Sequence, residues 1–179
     1  MSITIKSPSS GTTAEVNEKQ QLEVSASVSS ESHHVSLNNG ETYLWTTSWS
    51  ADTGEEVIYL KNNSKTKYLI IDKVTVSAVA ASLFELYTAT GTAAGTTITG
   101  ANANRASGNA ADASAFGEAE VTGLTTASRI DMARVAANGR ATMDLQDVLI
   151  LGQNDAITLT YTGSTGIVDV IITGYFEDK

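Results

Sequence analysis

Cysteine is absent from this chain of 179 residues, which excludes disulfide bonds, catalysis by a thiolate and metal sites built on thiolates. Basic residues are also scarce, because 11 Lys and Arg stand against 20 Asp and Glu, giving a net charge of -9. Binding to nucleic acid through phosphates requires Lys and Arg that displace counterions, so this balance argues against a nucleic-acid partner. The chemistry that remains is that of carboxylates, hydroxyls and two histidines.

Long apolar runs are missing as well. The longest, around Leu69 to Ile71 and Val148 to Leu151, are far shorter than the roughly 20 residues that a bilayer span requires. The opening residues Met-Ser-Ile-Thr-Ile-Lys lack the basic and apolar segments of a secretion signal. We therefore expect a soluble protein without a membrane partner, made and folded in a cytoplasm.

Alternation of apolar and polar residues with a period of two is the dominant pattern, and it predicts β-strands along most of the chain. The clearest apolar sets are Leu22, Val24, Ala26 and Val28; Tyr43, Trp45 and Trp49; Ile157, Leu159 and Tyr161; and Val168, Val170 and Ile172. Turn residues separate the strands at Asn38 to Gly40, Gly152 to Asp155 and Gly163 to Gly166.

About eight to ten short strands at such spacing predict an all-β fold, a two-sheet antiparallel β-sandwich. A jelly roll is the favoured topology and an immunoglobulin-like sandwich its main competitor. The Ser-Ser-Gly-Thr-Thr run after Pro8 predicts a flexible connection. We therefore divide the chain into an extended, flexible N-terminal arm, residues 1–18, and a sandwich domain, residues 19–179.

Two segments give weaker patterns. Gly91 to Gly117 is rich in small and polar residues, which predicts a long loop with one short strand at Thr96 to Thr99; such loops are often functional. Arg129 to Val135 fits either a short helix or a strand, and we favour the strand.

His33 and His34 are the only histidines. Adjacent residues on a strand point to opposite faces, so the pair is not expected to chelate a metal within one chain. Symmetry in a trimer could bring three copies of one histidine together, but we favour a half-exposed pair in a polar strand or loop.

The acidic residues Asp131, Asp144, Asp147 and Asp155 do not follow the spacing of a known calcium motif. No nucleophile elbow surrounds any serine, and no glycine-rich loop has phosphate-binding spacing. The sequence therefore predicts no catalytic residue, no metal site and no cofactor, and the chain is not expected to be an enzyme.

Tyr43, Trp45 and Trp49 lie on one face of a single predicted strand. An exposed aromatic face could stack on carbohydrate, whereas a buried one would anchor the strand to its sheet. We favour burial, and alternation alone does not decide between the two.

Three stretches carry a resemblance to known proteins. They are LEVSASVSSESHHVSLNNGETYLWTTSWS from Leu22, VIYLKNNSKTKYLIIDKVTVS from Val57, and LILGQNDAITLTYTGSTGIVDVIITGYF from Leu149. Their order resembles particle proteins of tailed bacteriophages, of the head decoration (cement) or head-fibre type, in which an N-terminal arm precedes a jelly-roll domain. The resemblance covers most of the chain and consists of strand and turn patterns.

The resemblance implies a structural virion protein on the capsid surface, a homotrimer that binds the phage major capsid protein. The alternating Ile3, Thr4 and Ile5 are the expected partner-binding residues, because an extended arm can add a strand to a neighbour's sheet. The alternative function is a receptor- or glycan-binding knob of a phage fibre, using the Gly91 to Gly117 segment or the aromatic face.

Overall fold

A computed structural model describes residues 4–6, 13–16, 22–24 and 31–179. The chain forms two compact units, residues 1–31 and residues 32–179. The arm predicted for residues 1–18 falls inside the first unit, and its boundary stays a prediction. The flexibility predicted for residues 1–18 stays a prediction.

The described part of the first unit is a three-stranded antiparallel sheet in the order β1-β2-β3. Its strands are β1 (Thr4–Lys6), β2 (Thr13–Val16) and β3 (Leu22–Val24). Strand β2 is central, so β1 and β3 are the edge strands among the described residues.

The second unit contains one helix and nine strands in the part of the chain from residue 31 onward that the structure describes. They are α1 (Glu31–Asn38), β4 (Thr42–Ala51), β5 (Glu56–Asn62), β6 (Lys67–Ala78), β7 (Ser82–Ile98), β8 (Ala101–Asn102), β9 (Ala113–Val135), β10 (Gly139–Leu151), β11 (Ala156–Gly163) and β12 (Gly166–Asp178).

Five of these strands form the open sheet, in the order β10-β6-β12-β4-β8. Strand β12 lies at its centre and pairs along its length with both β6 and β4. Its alternation places Val168, Val170 and Ile172 in the core, where each is at most 1% exposed. Strand β10 is an edge strand, and its register shifts between Asp144 and Leu149.

The other four strands form the closed sheet, in the order β11-β5-β9-β7. Strands β7 and β9 pair along a long ribbon whose register shifts four times, and such bulges bend a strand. The bend lets the ribbon pair with β11 at one end and with β5 at the other. Gly91, at φ 106°, is required where the two strands approach, because a Cβ there would lie 2.4 Å from the Gly123 carbonyl oxygen.

The main hydrophobic core lies between the open sheet and the closed sheet. It contains Trp45 and Val74 from the open sheet and Phe84, Leu86 and Ile157 from the closed sheet, all nearly inaccessible to water. The predicted fold class, an all-β two-sheet antiparallel sandwich, is confirmed. The jelly-roll topology stays a prediction.

Two predictions about local structure were wrong. Residues 31–38 form the helix α1, although a polar strand or loop was predicted around His33 and His34. Most of Gly91 to Gly117 belongs to β7, β8 and the start of β9, so the predicted loop shrinks to the segment between β8 and β9. The strand favoured for Arg129 to Val135 is confirmed, as are the turns around Gly152 to Asp155 and Gly163 to Gly166.

Candidate functional site

The predicted partner-binding residues lie at the edge of the first unit. Thr4 and Ile5 belong to β1 and pair with Glu15 and Ala14 of β2, whereas Ile3 lies outside the described residues. Strand β1 has a paired strand on one side only, among the residues described in that unit. An edge strand of this kind can pair with a strand from another chain.

The histidine pair is exposed on helix α1 and not on a strand or loop as expected. The reason given against joint chelation, opposite faces of a strand, does not apply to a helix. In the described part of the chain, however, no three His, Asp or Glu side chains come close enough together to hold a metal ion.

Two of the acidic residues singled out in the sequence accept hydrogen bonds from nearby backbone N–H groups, and none belongs to a described cluster that could hold a metal ion. The Asp155 carboxylate accepts a hydrogen bond from the Gly152 backbone N–H at 2.9 Å, which closes the β10–β11 turn. The Asp131 carboxylate accepts one from the Met132 N–H at 2.7 Å. Asp144 is exposed, and the side chain of Asp147 lies outside the described residues.

An asparagine-rich loop holds the C-terminal end of α1. The amide of Asn104 donates to the Ser36 carbonyl at 2.9 Å, that of Asn102 to the Gly40 carbonyl at 2.7 Å, and that of Asn109 to the Asn39 carbonyl at 3.0 Å. The last carbonyls of a helix have no partner within the helix. The Asn104 amide supplies a donor to one of them, whereas Asn102 and Asn109 bond the two residues that follow the helix. These asparagines, which belong to the segment predicted as a long loop, thus have a structural role.

A cleft of about 480 Å³ opens between α1 and this loop. Its walls include His33, Leu37, Asn104 and Arg105. The structure gives Arg105 no ion pair with a described residue. The cleft therefore offers a guanidinium group beside an apolar wall.

The aromatic face of β4 is part of the core. Tyr43 and Trp45 are each 1% exposed, and Trp49 packs partly buried against the same core. The burial that we favoured is confirmed, and a carbohydrate platform formed by this face is ruled out for the folded protein.

A second aromatic group lies on the face of the closed sheet that points away from the main hydrophobic core. Tyr59 and Phe116 are paired across β5 and β9, with ring centroids 6.0 Å apart. They pack with Ala89, Val121 and Ala156 in a separate small cluster that the bent β7–β9 ribbon covers. Burial raises the pKa of the Tyr59 hydroxyl.

We call the opening beside this cluster the Phe116 cleft. Tyr59, Lys61, Ser114 and Phe116 line one side, and residues 91–93 of the ribbon line the other, around a volume of about 240 Å³. An adjoining cleft of about 260 Å³, lined in part by Thr97 and Thr99, shares Ser114 and Phe116 with it. Phe116 thus lines both depressions, and the sequence signal that marks them is the Gly91 to Gly117 segment.

Exposed apolar side chains on the edge strand β10 form a different kind of surface. Val148 is 83% exposed and Ile150 is 51% exposed, on the face opposite the buried Leu151. Large apolar side chains on an edge strand are a hazard for a monomer and are typical of contact surfaces.

No helix in the described ranges is long and apolar enough to cross a membrane. No family model matches this chain, and no curated protein or solved structure is significantly similar to it. Its function is therefore inferred from the geometry of the molecule.

Proposed function

We propose that this chain is a non-enzymatic structural protein of a bacteriophage particle. It decorates or stabilises the capsid surface by binding the major capsid protein, as a homotrimer. The observation that carries the proposal is the one-sided pairing of β1. An edge strand at the start of a chain can extend the sheet of a neighbouring protein, with main-chain hydrogen bonds supplying the adhesion.

Exposed side chains on the second unit support contacts between copies. Val148 and Ile150 project from the edge strand β10, where a contact between copies would remove them from water. The net charge of -9 favours solubility and disfavours contact with the packaged genome.

Co-sedimentation with capsids that lack this protein tests the proposal. The full chain should sediment with such capsids, whereas the double variant Thr4→Pro/Ile5→Pro should not, because proline has no N–H to donate and is excluded from paired strands. The matched control Thr4→Ser/Ile5→Val should bind like the native chain. Normal binding by the proline variant would remove β1 from the account, and absence of binding by the native chain would remove the capsid as partner.

A second candidate function is a receptor- or glycan-binding knob of a phage fibre. The buried Trp45 gives it no support, but the Phe116 cleft does, because it combines an aromatic ring with hydroxyl and ammonium groups. Ligand sites often combine aromatic side chains with a few polar groups in this way. Binding of the folded chain to a glycan array would favour this function, and absence of binding across the array would count against it.

A further inference from the structure

The Phe116 cleft has a polar side that is prepared for a ligand. The Asn63 side-chain amide donates a hydrogen bond to the Ser114 hydroxyl oxygen at 2.9 Å. Since that oxygen already accepts a proton from Asn63, the hydroxyl proton of Ser114 can be donated to a ligand. Asn63 therefore positions Ser114 as a donor at the edge of the cleft.

Lys61 supplies the charge of the cleft. It is paired across the ladder with Ser114, on the same face of β5 as Tyr59. The structure gives its ammonium group no ion pair with any described residue. The residues that line the cleft include no carboxylate, so an anionic group on a ligand would meet Lys61 without competition from the wall.

The ring of Phe116 supplies an apolar surface next to these polar groups. Phe116 is partly buried, whereas its neighbour Tyr59 is 4% exposed, so Phe116 is the aromatic ring that a ligand can reach. The volume of about 240 Å³ lies below the roughly 300–1,000 Å³ of sites for drug-sized ligands. The cleft therefore suits a single sugar ring.

We infer that the Phe116 cleft binds a carboxylated sugar ring, such as a uronic acid or sialic acid unit of a surface glycan. The sugar ring lies against Phe116, its carboxylate pairs with Lys61, and Ser114 donates to one of its oxygens. The hydroxyls of Thr97 and Thr99 in the adjoining cleft give room for the next sugar of a chain. This inference rests on the second candidate function and is independent of capsid attachment.

Titration of the isotope-labelled full chain by NMR tests the site directly. We expect methyl glucuronide or N-acetylneuraminic acid to shift the backbone signals of Lys61, Ser114 and Phe116, and methyl glucoside to bind at least about tenfold more weakly, because it lacks the charge-assisted contact. Acetate should also bind more weakly than the acidic sugars, because it cannot contact Phe116. Equal binding of acetate would show a simple anion site and overturn the sugar assignment, and no shift with either acidic sugar would overturn the inference.

Substitutions distinguish glycan binding at the Phe116 cleft from glycan binding elsewhere on the chain. Lys61→Met should weaken binding of the acidic sugar about tenfold or more, whereas Lys73→Met, at an exposed lysine of the open sheet, should leave it unchanged. Phe116→Leu, with folding checked by its NMR spectrum, should also weaken binding. Should the chain bind glycans with an affinity that neither Lys61→Met nor Phe116→Leu changes, the fibre-knob function would stand and the Phe116 cleft would be the wrong site.

Discussion

Replacing Asn62 by alanine should destabilise the second unit more than any other polar substitution we consider. Asn62 is fully buried at the end of β5. Its side-chain amide donates to the Lys67 carbonyl at 3.0 Å and to the Leu151 carbonyl at 2.8 Å, and its side-chain oxygen accepts from the Ser64 N–H at 2.8 Å. One side chain of the closed sheet thus joins two strand ends of the open sheet.

The expected cost follows from these three bonds. At about 1 kcal/mol net for each bond, Asn62→Ala should lower the free energy of unfolding by about 3 kcal/mol. The cost would rise if the three backbone groups remained buried without partners. For a unit of this size, 3 kcal/mol corresponds to a fall in Tm of roughly 6–12 °C.

Urea unfolding followed by tryptophan fluorescence measures this change, because both tryptophans lie on β4 in the second unit. The matched control is Asn63→Ala, whose amide makes a single bond to Ser114 and should cost about 1 kcal/mol or less. Equal effects of the two substitutions, or a loss below about 1 kcal/mol for Asn62→Ala, would refute the view that Asn62 joins the two sheets.

Three further predictions concern the core and two charged groups. Trp45→Ala should lower the free energy of unfolding in urea by about 3–5 kcal/mol, as for other large buried aromatics, and Trp49→Ala by clearly less. Equal costs would contradict the deeper burial of Trp45. Burial raises the pKa of Glu56 above its ordinary value of 4.5, so the ionised form of its carboxyl group opposes folding. Glu56→Gln should therefore be more stable than the native chain at pH 7, and this advantage should vanish below about pH 4.5. A stability advantage that persisted in acid would count against burial as the cause. The pKa of Lys67 is raised above 10.5, chiefly by its hydrogen bond to Glu41, so the pair stabilises the fold below pH 10.5 and this contribution is lost as the pH rises through the higher folded-state pKa. Lys67→Met should therefore lower the free energy of unfolding by about 1 kcal/mol at pH 7 and by less in strong alkali, as measured by urea unfolding at both pH values. A cost that did not depend on pH would exclude the ion pair as its source.

Sequence patterns predicted the strands of the sandwich because each of those strands buries one face. Val168, Val170 and Ile172 alternate with polar residues, and the structure places all three in the core. The same reasoning applies to Trp45. Its burial was predicted because a strand needs an apolar face to attach to its sheet.

Helix α1 could not be predicted in this way. Among its residues 33–38, Val35 is the one side chain that it buries deeply. Its end is held by amides of Asn102, Asn104 and Asn109, which lie far away in the sequence. Long-range contacts of this kind leave no periodic pattern in the helical segment itself.

The middle of the β7–β9 ribbon was missed for a related reason. Between Thr90 and Thr97 most residues are exposed small side chains, so no alternation marks a buried face. Bulges shift the register there as well, and a shift by one residue moves side chains to the other face. The sequence therefore indicated the Phe116 cleft, which this ribbon covers, only as part of a predicted functional loop.

Electron cryomicroscopy of phage capsids incubated with this chain tests the proposed capsid binding most directly. The account predicts density for the sandwich on the capsid surface, in groups of three copies, with β1 paired to a strand of the major capsid protein. Particles that carry the chain elsewhere, or a capsid-bound chain whose β1 contacts only its own β2, would contradict it.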